Sequence, residues 1–367
     1  MQVPLRLQLL LRTEVPTGVL LCTGYGGVVL MATPFLVPAI ALHYGIGLGL
    51  TALISTGQLA GFVAGSWGAG KVLQPRRRVF TTSVLVLASA NALSALLPTF
   101  GLLVALRTVA GIALGVTVWF GWVLVFGNEQ RTAELAVVGP VVGIFAAPAL
   151  AWSVDAAGPD GTYWMLGLAA TVPLLFNRTT RMQARPPQPT TRVAPVPAAL
   201  ALLVALGLFT TGGAAVFVFS ALLAAEQAGL GATSISVAFA LNAAAGVVPA
   251  RWGAPGLPPA VWLGITGLCA FAVAAVPNGV VFVVAVTLWG FAFWAAIPPT
   301  FTLLARKSRY PEQRAGDAQA VMAIGRVIGP VMAGVILDLT QPWVLGAVAG
   351  AVMVGAGSIV ARVARQD

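Results

Sequence analysis

The chain has 367 residues, of which 59% are hydrophobic and only 8% carry a charge. Soluble proteins are about one quarter charged, so this composition excludes a water-soluble globular domain. The net charge of +10 would suit a nucleic-acid-binding protein, but the basic residues lie in short clusters between apolar runs. That pattern is typical of the cytoplasmic loops of a membrane protein.

Successive apolar runs predict twelve membrane-spanning helices. A helix needs about 20 residues to cross a hydrocarbon core of ~30 Å, and the runs have this length. The predicted spans, in chain order, are 17–42, 47–69, 79–98, 101–127, 134–154, 161–177, 196–224, 231–250, 258–276, 279–305, 315–338 and 342–362.

The loop charges predict the topology. With the amino terminus inside, every lysine and arginine except Arg107 and Arg326 falls on a cytoplasmic segment, and a different number of helices would destroy this agreement. The two exceptions lie within the fourth and eleventh predicted helices. We therefore predict a multi-pass protein of the plasma (inner) membrane with both termini in the cytoplasm.

The two halves of the chain repeat each other. Residues 1–177 are predicted to form one six-helix bundle and residues 197–367 a second, joined by a proline-rich and basic cytoplasmic linker at 178–196. Six helices per copy is an even number, which predicts a parallel repeat about an axis along the membrane normal. The matched segments are Gly61-x4-Ser66-Trp67-Gly68 with Gly246-x4-Arg251-Trp252-Gly253, Glu129-Gln130-Arg131 with Glu312-Gln313-Arg314, and Gly143-x4-Pro148 with Gly325-x4-Pro330.

Several motifs resemble those of the major facilitator superfamily. The segment Gly68–Arg78 matches the loop signature of that family at its first glycine and at Arg76 and Arg77, but it has Val72 in place of the aspartate. Arg107 followed by Gly111 resembles the signature of the fourth helix. The glycine–proline elements at 139–143 and 325–330 resemble an exporter motif in part. The resemblance implies an all-α integral membrane fold of twelve helices in two parallel-repeat bundles, and secondary transport.

The resemblance also suggests where a solute would bind. Arg107 and Arg326 are charges within spans, where an unpaired charge costs several kcal/mol. A structural arginine, and aromatic residues that only pack or anchor at the interface, are the alternatives. The candidates for substrate binding or coupling are Arg107, Arg326, Tyr25, Trp119, Trp122, Phe217, Trp289, Phe293 and Trp294.

Two further sets of residues are assigned other roles. An inner gate of opposite charges is predicted from Lys71, Arg76, Arg77, Glu134 and Asp317, although the two acids would also suit the dipoles of the helices that they begin. Close helix packing is predicted at Gly68, Gly111, Gly139, Pro140, Gly143, Pro148, Gly325, Gly329 and Pro330.

The functional prediction is a secondary transporter, not an enzyme, that exports a small organic solute by alternating access with proton antiport. No carboxylate falls at a mid-membrane position, which weakens proton coupling and favours an anionic or neutral solute. An uptake symporter or uniporter, and a non-transporting scaffold of the same fold, remain as alternatives. The expected partners are the bilayer, a small solute and protons; no cofactor, metal, catalytic residue or nucleic acid is predicted, and a monomer is expected.

Overall fold

In the computed structural model, residues 15–97, 99–125, 129–179, 193–254 and 256–365 are described, and within them the regular structure is helical. We label the helices α1 (Thr17–Tyr44), α2 (Leu48–Val72), α3 (Arg77–Ser94), α4 (Phe100–Val125), α5 (129–157), α6 (159–171), α7 (Pro197–Ala228), α8 (Ala232–Trp252), α9 (Pro259–Ala275), α10 (Gly279–Arg306), α11 (Pro311–Leu339) and α12 (Pro342–Ala364). A short 3₁₀ helix, Val172–Thr179, follows α6.

The boundary between α5 and α6 is a break within the helical stretch Glu129–Thr171. Gly158 has φ 67° and ψ −176°, a conformation that a residue with a side chain rarely adopts, and Pro159 follows it. The sequence places a loop at 155–160 here. The structure instead turns the chain at one glycine, because glycine reaches this conformation without steric cost.

Nine helical segments among the described residues are long and apolar enough to cross a membrane. One of them, Val137–Phe176, has 40 residues and contains the break at Gly158, while α9 is a shorter apolar helix of 17 residues. The multi-spanning architecture is therefore confirmed. The count of twelve crossings and the boundaries of the two halves stay predictions.

The helices pack in a pattern that repeats after six. In the first half α2 packs on α4, α1 on α5, and α3 on α4 and α6; in the second half α8 packs on α10, α7 on α11, and α9 on α10 and α12. The two groups meet where α2 lies against α11 and α5 against α8, and α1 also touches α7. The junction between the groups therefore follows the same repeat.

Successive helices run in alternating directions, so their ends form two faces. At one face Tyr44 touches Phe100 and Asp338 reaches the start of α2. We call this end, which also carries Asp155 and Gly229, the opposite face. The other end, the basic face, carries Arg76, Arg77, Arg251, Arg306 and Arg314.

Helices α2 and α4 approach each other through glycines. An added Cβ at Gly111 would lie well inside van der Waals contact with the backbone carbonyl of Gln58, and Gly65 meets the carbonyl of Ile112 in the same way. In the second half Gly290 of α10 meets the carbonyl of Asn242 in α8. Small residues that let backbones touch are the usual means of packing helices in lipid.

Replacing Gly111 by alanine is expected to destabilise the protein by about 1–3 kcal/mol, because the two helices must separate to admit the methyl group. Thermal unfolding of the purified protein in detergent measures the effect. Gly101→Ala, on the same helix with open space around its Cβ position, is the matched control and should leave the melting temperature unchanged or slightly higher. Equal effects of the two substitutions would contradict this account of the packing.

Candidate functional site

Arg107 lies in a cage of hydrogen bonds inside the first half. Its guanidinium donates to Asn91 Oδ1 at 2.9 Å, to the carbonyl of Ala90 at 3.0 Å and to Ser94 Oγ at 2.7 Å, all on α3. The ring of Tyr163, on α6, stacks under it with the Cζ atom 4.5 Å from the ring centre. Arg107 is only 2% exposed, so α4 is fastened to α3 and α6 by one buried cation.

The same network includes Tyr25 of α1. Asn91 Nδ2 donates to the Tyr25 hydroxyl at 3.1 Å, and that hydroxyl donates to the carbonyl of Leu166 at 2.9 Å. Tyr25 is buried, and its ring belongs to a hydrophobic cluster of the first half. The geometry therefore favours a role in holding helices together over a role in substrate binding for Arg107 and Tyr25, because their polar atoms are directed at neighbouring helices.

Arg326 occupies a different environment at the middle of α11. It lies 13 residues before Leu339, or about 20 Å along the axis at 1.5 Å per residue. Its side chain is half-buried, and among the described residues it has no hydrogen bond, ion pair or ring partner. The exposed residues Ile324, Ile328 and Val335 lie about 160–180° around the helix from it, at 100° per residue. Arg326 therefore points away from the lipid side of α11, towards the junction of the halves.

Four of the predicted aromatic residues come together in the second half. Phe217 contacts Trp289 edge-on with ring centres 6.3 Å apart, and Phe293 contacts Trp294 in the same way at 5.6 Å. Phe293 also stacks on Phe209 at 5.8 Å with an interplanar angle of 22°. These rings cover the inner side of α7 and α10.

The sequence did not identify Phe35, Phe209 or Phe239 as part of this group. Phe239 of α8 contacts both Phe217 and, across the junction, Phe35 of α1, each with ring centres 5.5 Å apart. An aromatic residue within an apolar run carries no signal of the direction in which it points. Trp119 lies elsewhere, edge-on to Phe120 in the first half, and the side chain of Trp122 lies outside the described residues.

The structure places the predicted gate residues Arg76, Arg77 and Asp317 at the basic face. Arg76 donates to Gln74 at 2.6 Å, and Arg77 is exposed. Asp317 pairs with Arg314 at 2.8 Å, and the buried Arg314 also donates to the carbonyl of Val193 at 2.6 Å. This ties the chain just before α7 to the beginning of α11.

Of the other two predicted gate residues, the structure describes the side chain of Glu134 but not that of Lys71. Glu134 is half-buried in α5, and its buried Oε2 atom has no hydrogen-bond partner among the described residues. The side chain of Lys71 lies outside the described residues.

The two halves are held together near the opposite face by Asp338. Its carboxylate accepts hydrogen bonds from the backbone N–H groups of Leu48 at 3.0 Å and Gly49 at 2.8 Å, the first residues of α2. Deeper in the junction, Thr56 Oγ1 donates to the carbonyl of Val327 at 3.1 Å. A carboxylate at a helix amino terminus is favoured by the unpaired N–H groups and by the helix dipole. The sequence places Asp338 outside the membrane but does not predict this contact.

The residues assigned to packing lie in two kinds of surroundings. Gly325 and Gly329 fit tightly against α7 at Thr210 and Thr211, and Gly111 touches α2 as described above. At Gly143, an added Cβ atom would lie 3.0 Å from the Cβ atom of Ala243 across the junction. Gly68 and Gly139 have open space at their Cβ positions. Pro140, Pro148 and Pro330 lie inside helices, and of these Pro148 is exposed.

These features define a polytopic α-helical membrane protein whose two groups of helices face each other across a junction. No family model and no curated protein matches the sequence. The structure is similar to that of a bacterial homologue of the human lysosomal transporter Spinster in its inward-facing, unoccupied conformation, with TM-score 0.66 and 14% identity over 100% of this chain and 96% of the other.

A second similar structure is the human organic anion transporter MFSD10 (TETRAN), with TM-score 0.64 and 16% identity over 94% of this chain and 97% of the other. The Spinster homologue in its inward-facing, occupied conformation gives TM-score 0.63 at 14% identity. At such identities the likeness concerns the fold. The chain therefore shares its fold with these two transporter structures.

Replacing Arg107 by leucine is expected to lower the free energy of unfolding by about 1–3 kcal/mol, because the acceptors on α3 lose their donor in a buried site. Asn91→Leu should have a similar effect. Because the two residues share one network, the double variant should lose less than the sum of the single losses. Thermal unfolding in detergent measures all three.

Arg251→Leu, an exposed arginine at the end of α8, is the control for loss of charge alone and should leave the melting temperature unchanged. A stable Arg107→Leu protein, or strictly additive losses with Asn91→Leu, would contradict the cage as described.

Proposed function

We propose that the protein is a secondary-active transporter that moves a small organic solute across the plasma (inner) membrane by alternating access, as an exporter driven by proton antiport. The observation that carries the proposal is the junction of the two groups of helices. It is closed near the opposite face by Asp338, whereas Gln319, on the interior side of α11 nearer the basic face, is exposed.

A transporter of this kind works by rocking two bundles around a central site. The bundles proposed here are residues 1–177 and 197–367, with the linker 178–196 at the basic face, and a monomer is sufficient because both halves lie in one chain. The loop charges favour a cytoplasmic basic face. In this orientation the closed end faces outwards, and the likeness to an inward-facing transporter structure supports the same conformation.

The aromatic group on α7, α8 and α10 supports an organic solute. Phe217, Phe293 and Trp294 are half-buried rings near the junction, and Trp289 is buried in the adjoining core. Ligand pockets are generally lined by such side chains with few polar groups. Export is supported by the glycine–proline elements in α5 and α11, which resemble an exporter motif in part.

Glu134 is the carboxylate that we assign to proton exchange. The acids at Asp155, Asp317 and Asp338 lie at helix ends, and of these Asp317 and Asp338 have partners, whereas Glu134 has a buried oxygen without one. A uniporter or symporter is the alternative, favoured by the lack of a carboxylate at mid-helix in the described spans.

Proton coupling can be tested in proteoliposomes loaded with a panel of organic solutes. A pH gradient, alkaline on the side of the basic face and acidic on the other, is expected to drive efflux from the alkaline side. Glu134→Gln should abolish this stimulation and leave exchange of solute for solute intact, because exchange needs no net proton movement. Glu226→Gln, an exposed acid at the end of α7, is the control and should behave as the original protein.

Solute flux that does not depend on the pH gradient would favour a uniporter. Movement of the solute in the same direction as the protons would favour a symporter. If no solute in the panel moved, the scaffold alternative would be preferred to transport.

The closure by Asp338 predicts a shift in accessibility. Asp338→Ala removes two hydrogen bonds between the halves, and at about 1 kcal/mol each the population of the form open at the opposite face should rise by roughly tenfold or more. Cysteines at Ala39, on the interior side of α1, and at Gln319 report the change through their rates of labelling by a membrane-impermeant maleimide. Labelling at position 39 should rise and labelling at 319 should fall.

Asp155→Ala removes an exposed acid from the same face and serves as the control, with both rates unchanged. Unaltered rates in Asp338→Ala would mean that the contact does not hold the halves together.

A further inference from the structure

We propose that Arg326 and the ring of Phe293 form the recognition site for an organic anion with an aromatic or similarly apolar body. This inference rests on the proposed transport function and names the class of solute. It concerns the central junction at the middle of the helices and needs no contribution from Arg107.

The position of Arg326 is the first argument. It is half-buried on the interior side of α11, and Gln319 lies about 20° from it around the helix and about 10 Å nearer the basic face. Gln319 is exposed although it lies far around the helix from the lipid side. The interior side of α11 is therefore exposed at Gln319, about two turns from Arg326 towards the basic face.

The charge of this region is the second argument. Arg326 has no ion-pair or hydrogen-bond partner among the described residues, and the nearest acid on its own helix, Asp317, is paired with Arg314 and lies about 180° away around α11. An unpaired cation at the middle of a membrane helix costs several kcal/mol unless it meets water or an anion. The site is therefore electrostatically complementary to an anionic ligand.

The apolar part of the ligand is indicated by the rings at the same depth. Gly325, next to Arg326, packs tightly against Thr210 of α7, and Phe209 on that turn stacks on Phe293. Phe293 is half-buried and lies about 180° around α10 from the exposed Val284, so it also faces the interior. Trp294 extends the ring surface edge-on. A guanidinium at the same depth as these rings suits a carboxylate or sulfonate attached to an aromatic body.

The potential at the site can be measured without knowing the natural solute. In a background where the two buried free cysteines, Cys22 and Cys269, are replaced by alanine, Gln319→Cys reports through its rates of reaction with a negatively and a positively charged methanethiosulfonate. Arg326→Gln is expected to lower the ratio of the negative to the positive rate by about tenfold, because a positive charge ~10 Å away attracts one reagent and repels the other. Arg251→Gln, on the basic face, should change it by less than twofold.

Recognition is tested with three compounds that share a naphthalene ring and differ in charge: the anion 1-naphthoate, the neutral 1-naphthamide and the cation (1-naphthylmethyl)ammonium. Protection of the cysteine at 319 in detergent measures their binding. Naphthoate should protect at concentrations about tenfold lower than the amide, and the ammonium compound least. Arg326→Gln should remove the preference for naphthoate and leave the amide unchanged, whereas Arg326→Lys should retain part of it. Phe293→Ala should weaken naphthoate and amide together.

The inference is overturned if naphthoate fails to protect, if it protects no better than the amide, or if its preference survives Arg326→Gln. Binding and transport are separable in these tests. Arg326-dependent binding of naphthoate without flux in proteoliposomes would contradict the transport function and leave the anion site standing. Flux restricted to cations would contradict the anion site and leave transport standing.

Discussion

Inside the hydrocarbon of a bilayer, every charge and every backbone polar group has to be satisfied by the protein or by enclosed water. This constraint gives the two arginines in the middle of the spans opposite surroundings. Arg107 directs its donors at Asn91, Ser94 and the backbone of α3, so its charge fastens helices together. Arg326 lies on the interior side of α11, where it is half-buried and has no hydrogen bond or ion pair among the described residues.

The repeated architecture makes this contrast sharper. In the register of the glycine contacts between α2 and α4 and between α8 and α10, Arg107 corresponds to the apolar Val286. In the register shared by α5 and α11, Arg326 corresponds to Ile144. Each arginine therefore belongs to one half only. The repeated helix packing therefore does not extend to these two charges.

The sequence predicted the features that depend on composition and spacing. Long apolar runs, basic clusters and matched glycine motifs were enough to predict the multi-spanning helical fold and its resemblance to the facilitator superfamily. It did not predict the turn at Gly158, where a single residue connects α5 and α6. It also did not predict which of the two arginines has hydrogen-bond partners. The partners of Arg107 come from α3 and α6, and the sequence of one apolar run does not show which side of its helix meets which neighbour. The contact of Asp338 with α2 was equally hidden, since its two partners are backbone N–H groups almost 300 residues away along the chain.

The contact between α2 and α11 near the opposite face is made by glycines, with Gly49 of α2 placed directly against Gly334 of α11. A Cβ atom added at Gly334 would lie only 2.7 Å from the Cα atom of Gly49, so this point of the seam has no room for a side chain. The contact therefore acts as a size limit, because the two helices can close against each other here only while position 334 remains glycine.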